Sequence, residues 1–103
     1  MKYVKIEIIS DSKKDLETII NELLNKKLTN TANIQKVDSY YFNSNKIMSK
    51  NNYILSFITR YKSLDEIHKL VDDKNNILIT EDITINKNSK DKFEDSTNTP
   101  VFL

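Results

Sequence analysis

The alternation of apolar and polar residues is clearest at the start of the chain. In residues 2–9, KYVKIEII, Val4, Ile6 and Ile8 share one face, while Tyr3, Lys5 and Glu7 share the other. Period two predicts a strand with one buried face. The period then changes. In SDSKKDLETIINELLNKKL, Leu16, Ile19, Ile20, Leu23, Leu24 and Leu28 follow the three-and-four spacing of an amphipathic helix. Ser12 stands where an N-cap belongs, with Asp15 three residues on, and Lys26 and Lys27 fall in the last turn, where cations complement the helix dipole.

A second strand is predicted over residues 32–42, ending in Tyr40, Tyr41 and Phe42. Ile34 and Val37 have opposite parity, so a bulge at Gln35 or Lys36 is expected to return both to one face. A third strand over residues 51–61 has Tyr53, Leu55 and Phe57 on one face and Ile54 and Ile58 on the other, which predicts cover on both sides. The segment SLDEIHKLVDD restarts the helical period. Ser63 and Glu66 have capping-box spacing, and Leu64, Ile67, His68 and Val71 share a face flanked by Leu70. A fourth strand follows in NNILITEDITIN, where Glu81 shares the parity of Ile77, Ile79, Ile83 and Ile85 and so falls on their apolar face. Either a bulge breaks this face or Glu81 points into a subunit junction, and the bulge is the simpler expectation.

The order is βαββαβ. Each helix has one apolar stripe to bury, so both are expected on one face of a four-stranded antiparallel sheet, an α+β ferredoxin-like sandwich. The domain is expected over residues 1–88, and residues 89–103 read as a polar tail that docks through Pro100–Leu103 or stays disordered.

Composition narrows the function. The 103 residues include 16 basic and 15 acidic side chains, for a net charge of +1, and no cysteine. That balance lacks the surplus of a nucleic-acid-binding domain, and one arginine, Arg60, gives few means of bidentate reading. Disulfides, thiolate metal sites and a cysteine nucleophile are excluded. Glycine is absent, which removes both phosphate-loop and dinucleotide fingerprints. Turns needing positive φ then fall to Asn or Asp, and Asn43, Asn45, Asn51, Asn52, Asn75 and Asn76 stand where turns are expected. No apolar run reaches membrane-spanning length, and no signal peptide is visible, so no membrane partner is expected and the cytoplasm is the default.

No catalytic constellation is visible, and no serine has the surroundings of a nucleophile elbow. His68, the single histidine, has Asp65, Glu66 and Asp72 as helical neighbours. It is a weak candidate metal ligand beside the plainer reading of a half-buried stripe residue. The pairs Asp72–Asp73 and Glu81–Asp82 lack the alternating spacing of a calcium loop.

With that topology, the middle of the chain resembles the CutA family of divalent-cation tolerance proteins. The family pattern Leu-Ala-Ala-Cys-Val-Asn-Ile is matched by LTNTANI, residues 28–34, through Leu28, Asn33 and Ile34. Its Ser-x-Tyr-x-Trp is matched by Ser39, by Tyr40 or Tyr41, and by Phe42 in the tryptophan place. The Leu-x-Ile-Lys-Thr run is similar to LSFITR, with Thr59 matched and Ile58 replacing lysine. Thr31 stands at the family cysteine, and DDKNN replaces the His-Pro-Tyr-Glu segment.

The resemblance implies a non-catalytic homotrimer linked to divalent-ion tolerance, with a divalent metal such as copper as its possible ligand. It places Asn33, Ser39, Tyr40, Tyr41, Phe42, Thr59 and Arg60 at inter-subunit clefts or interfaces. The alternative for the aromatics is that Tyr40 and Phe42 fill the chain's own core. The alternative for function is a sensor like the PII signalling proteins, which share the trimeric plan. Lys46 and Lys50 would then meet a phosphate rather than solvent.

Overall fold

The computed structural model describes residues 2–71 and 76–97. Four strands, β1 (Tyr3–Ser10), β2 (Ala32–Asn43), β3 (Lys46–Arg60) and β4 (Ile77–Ile83), form one antiparallel sheet in the order β2-β3-β1-β4. Two helices, α1 (Lys13–Asn25) and α2 (Leu64–Leu70), lie on one face. Val4, Ile6 and Ile8 of β1 and Leu55 and Phe57 of β3 meet Leu16, Ile19 and Leu23 of α1 and Ile67 of α2 in one buried core. The α+β ferredoxin-like arrangement is therefore the fold, with a third helix, α3 (Lys87–Thr97), added beyond the expected two.

The ends of α1 follow from local chemistry. The Ser12 hydroxyl accepts the Asp15 N–H at 3.2 Å, as its N-cap position predicts. At the other end the Leu28 N–H bonds the Leu23 carbonyl and the Lys27 N–H bonds the Leu24 carbonyl. This is a Schellman closure, with buried Leu23 and Leu28 supplying its apolar contact. Its left-handed residue is Lys27, at φ 56°, where a helix end usually has glycine. Ser44 and Asn45, at φ 52° and 67°, make the two-residue hairpin turn between β2 and β3. Of the expected turn asparagines Asn45 serves as one, while Asn51 and Asn52 are strand residues. Asn75 lies outside the described residues.

α2 starts differently from its expected capping box. Ser63 closes a 3₁₀ turn (Tyr61–Ser63), has helical backbone angles and makes no side-chain cap bond. The chain winds into α2 through the preceding turn, so a hydroxyl cap has no extended N-cap geometry to use.

Neither expected bulge exists. The β2–β3 register runs unbroken from Ala32↔Phe57 to Asn43↔Lys46, and β1–β4 from Tyr3↔Ile83 to Ile9↔Ile77. Ile34 therefore faces the helices, opposite Leu55, while Val37 faces the other way, opposite Asn52. The parity of apolar residues changes because the covered side changes: β2 runs out from beneath the helical layer. Glu81 stays on the face turned away from α1 and α2, opposite Lys5.

That second face carries Ile9, Ile54, Ile58 and Val37 half-buried and Ile79 exposed. Cover was expected along all of β3, yet among the described residues only α3 packs here, at the Tyr3 end. The β2–β3 hairpin overhangs the body. Residues of β3 before Tyr53 pair with β2 alone, because β1 ends at Ser10↔Tyr53. β3 begins at Lys46, several residues before its expected start, and turns the presumed loop into an arm. The molecule is accordingly 59 Å long and about 26 × 21 Å across.

The polar tail expected from residue 89 is helical through Thr97, and Phe93 is buried. With Phe93 its lone large apolar residue, α3 shows no hydrophobic stripe to read. Its signals are local: the Asn86 side chain caps the Ser89 N–H at 2.8 Å, and Lys87 pairs with Asp91 one turn on. Pro100–Leu103 lie outside the described residues.

Candidate functional site

The sequence-predicted residues do not gather in one place. At the tip of the arm, Tyr40, Phe42 and Ile47 are 73%, 78% and 71% exposed. Their register, with Phe42 opposite Ile47, puts all three on the same side of the arm as the helices. Tyr41, opposite Met48, occupies the other side. Tyr40 and Phe42 therefore do not fill the chain's own core.

At the root of the arm, on the face turned from α1 and α2, lies a hollow of about 440 Å³. It is lined by Ile9, Asp11, Ser39, Tyr41, Lys50 and Asn52. Asn52 is buried and its amide donates to the Ser39 hydroxyl at 2.8 Å, fixing both side chains from adjacent strands. The Lys50 ammonium lies 5.9 Å from the centre of the Tyr41 ring. Two predicted residues, Ser39 and Tyr41, thus meet Lys50 here, while Asn33 lines a separate hollow of about 350 Å³ with Lys5, Ser56 and Ile58. Asn52 was expected where a turn meets the start of the third strand and was not among the predicted site residues. Its even parity with Ile54 and Ile58 was the available signal.

Thr59 and Arg60 are adjacent in sequence and face opposite ways. Thr59 is fully buried beneath the helices and donates to the Leu28 carbonyl at 2.6 Å. The Thr29 hydroxyl donates to the Ile58 carbonyl at 2.7 Å in the reverse direction. Together these stitch the end of β3 to the segment leaving α1. Arg60 turns to the other face, where Nε and a terminal nitrogen engage the two oxygens of Glu94 and the same nitrogen donates to Thr97 Oγ1 at 2.6 Å. The Tyr3 hydroxyl also donates to Glu94, and the Phe93 ring meets Tyr3 edge-on at 5.4 Å between centroids.

This cluster shifts two ionisations. The hydrogen bond from Arg60, and then that from Tyr3, hold the Glu94 carboxyl below its ordinary range. Burial, reinforced by the adjacent carboxylate, pushes the Tyr3 phenol up to about 12.

His68 is exposed on α2, as are Asp65 and Glu66. Asp72 and Asp73 lie outside the described residues. Among the described residues no three His, Cys, Asp or Glu side chains gather where they could hold a metal ion.

The match with known proteins runs through these elements. A family model described as CutA1 divalent ion tolerance protein matches residues 5–94, from within β1 to Glu94 of α3. The chain belongs to the CutA1 divalent ion tolerance family. Among solved structures it is similar to the periplasmic divalent cation tolerance protein CutA from Archaeoglobus fulgidus, at 21% identity and a TM-score of 0.76. That match covers 93% of this chain and 99% of the other. CutA1 of Ehrlichia chaffeensis matches at 22% identity and a TM-score of 0.75, covering 96% and 99%. CutA1 of Oryza sativa matches at 17% and 0.76, covering 97% of each. At these identities the structures show a shared CutA fold. No curated protein matches the chain.

Leu28 and Thr59, on which the family resemblance partly rests, are joined by the buried hydrogen bond described above. The bond takes the Leu28 backbone carbonyl, so in this chain the Thr59 hydroxyl serves the fold.

Proposed function

We propose that this chain is a non-catalytic, cytoplasmic divalent-ion tolerance protein that works as a homotrimer and holds its ion in clefts between subunits. The observation that carries the reading is the arm. A strand pair that overhangs its body and exposes Tyr40, Phe42 and Ile47 on one side and Tyr41 and Met48 on the other leaves an apolar surface. Such a surface is ordinarily covered by a partner. The half-buried isoleucines on the sheet face away from α1 and α2 extend that surface to the body. Copies of the chain are the partner in this reading, which makes the hollow at the arm root an inter-subunit cleft. No helix among the described residues is long and apolar enough to cross a membrane, and the charge balance favours no nucleic acid.

The donors within one copy do not fit a closed copper site. Cysteine is absent and His68 stands in no gathered set of His, Cys, Asp or Glu among the described residues. The reading therefore draws its donors from more than one subunit, with the Asp11 carboxylate, the Ser39 hydroxyl and the Asn52 amide oxygen as oxygen ligands of the cleft. His68 is the available imidazole.

Calorimetric titration of the purified protein with Cu²⁺, Zn²⁺ and a panel of nucleotides tests this. Saturable binding of a divalent ion, weakened by Asp11→Asn or His68→Ala, supports it. Saturable nucleotide binding with no metal response, lost in Lys50→Ala, replaces it with the PII-like sensor.

A further inference from the structure

The hollow at the arm root holds more than oxygen donors. Ser39 of β2 pairs with Lys50 of β3, and Tyr41 and Asn52 follow at alternate positions, so strand register puts all four side chains on one face. Asp11 is the residue after the last β1–β3 pair, Ser10↔Tyr53, and so stands level with Asn52. The turn that carries it is fixed on both sides. The Ser10 hydroxyl accepts the Ser12 N–H at 3.1 Å, and the Ser12 hydroxyl caps α1.

The polar groups there have capacity to spare. Asn52 is 8% exposed, and its amide nitrogen donates to Ser39. Among the described residues its amide oxygen receives no hydrogen bond, and the Ser39 hydroxyl, having accepted one, keeps its own proton to give. A buried amide with an unanswered oxygen on a hollow is a ligand group already held in place. The two charges of the hollow are unanswered as well. Asp11 and Lys50 are both exposed, and among the described residues neither has an ion-pair partner, so they do not pair with each other. Ile9 and the Tyr41 ring, with the Lys50 ammonium 5.9 Å from its centre, give the same hollow an apolar wall. Its volume of about 440 Å³ suits a small molecule.

We propose that this hollow binds a small zwitterion, an α-amino acid with an apolar side chain. Lys50 and the Ser39 hydroxyl take its carboxylate, Asp11 and the Asn52 amide oxygen take its ammonium, and Ile9 and Tyr41 flank its side chain. An ion held by Asp11 leaves Lys50 and Tyr41 without a part, whereas a molecule carrying both signs uses every group that lines the site. The proposal goes beyond the divalent-ion reading and does not rest on it.

Calorimetric titration of the full chain with L-leucine tests it, with EDTA in the buffer so that the result is read apart from any ion titration. L-Leucinamide lacks the negative charge of leucine and isocaproate lacks the positive one. The expected result is saturable binding of L-leucine, with both relatives weaker by roughly tenfold or more, as the loss of one charge-assisted hydrogen bond implies. Asp11→Asn erases the preference for L-leucine over isocaproate, and Lys50→Met erases the preference over L-leucinamide. Both side chains are exposed, so both variants keep the fold, which circular dichroism checks. No saturable binding of L-leucine at millimolar concentration overturns the proposal, and so does binding that either variant leaves unchanged.

Discussion

Replacing Thr59 by valine tests whether this residue acts through structure. The side chain is fully buried and its hydroxyl donates to the Leu28 carbonyl at 2.6 Å. Valine has nearly the same shape, so the change opens no cavity and removes only the donor. The carbonyl is then left without that partner at a buried site, which costs about 1–3 kcal/mol. Thr59→Ser does the reverse: it keeps the donor and loses one buried methyl, at about 0.5–1.5 kcal/mol. For a domain of this size, 1 kcal/mol lowers the melting midpoint by roughly 4–8 °C. The expected order is therefore wild type above Thr59→Ser above Thr59→Val, with Thr59→Val about 10 °C down. Thermal and urea melts at one fixed protein concentration measure this without a change in assembly confusing the comparison. A Thr59→Val chain as stable as the wild type, or more stable than Thr59→Ser, refutes the reasoning.

Other perturbations follow from particular residues. Lys27→Gly relieves the left-handed backbone at the end of α1 and raises stability by about 1 kcal/mol, read as a higher urea midpoint with unchanged slope. Glu94 has its pKa lowered on folding, so its contribution is present above its unfolded value near 4.5 and is lost as pH falls through the folded value below that. Tyr3 has its pKa raised from 10.0 to about 12, so its contribution is complete below 10 and is lost as pH rises toward 12. Melting midpoints across both ranges show these losses, and Tyr3→Phe removes the alkaline one. Phe42→Ser strips an exposed aromatic from the arm, and it lowers the mass seen by sedimentation while leaving the monomer fold, read by circular dichroism, unchanged.

The fold was legible because most elements bury a stripe, and a stripe is written in the spacing of apolar residues. Val4, Ile6 and Ile8 announced β1, and Leu16, Ile19 and Leu23 announced α1. α3 was illegible for the same reason, since it packs through Phe93 and a carboxylate and repeats no apolar period. The two expected bulges came from assuming that a strand keeps one buried side throughout. In β2 the covered side changes near Lys36, and in β4 the parity belongs to the face that α1 and α2 leave open. The candidate site was legible only in pieces. Ser39 and Tyr41 meet in one hollow, but Asn52 and Lys50 join them through a hairpin register that spacing within one strand cannot specify. Arg60 was singled out, but its partner Glu94 lies 34 residues further on, in a segment read as tail.

The claim on which the functional account depends is that the exposed arm and the uncovered sheet face are completed by further copies of this chain. Sedimentation equilibrium of the purified protein at micromolar concentration tests it directly. The account predicts a single species of three chain masses, and a chain mass of one under the same conditions contradicts it.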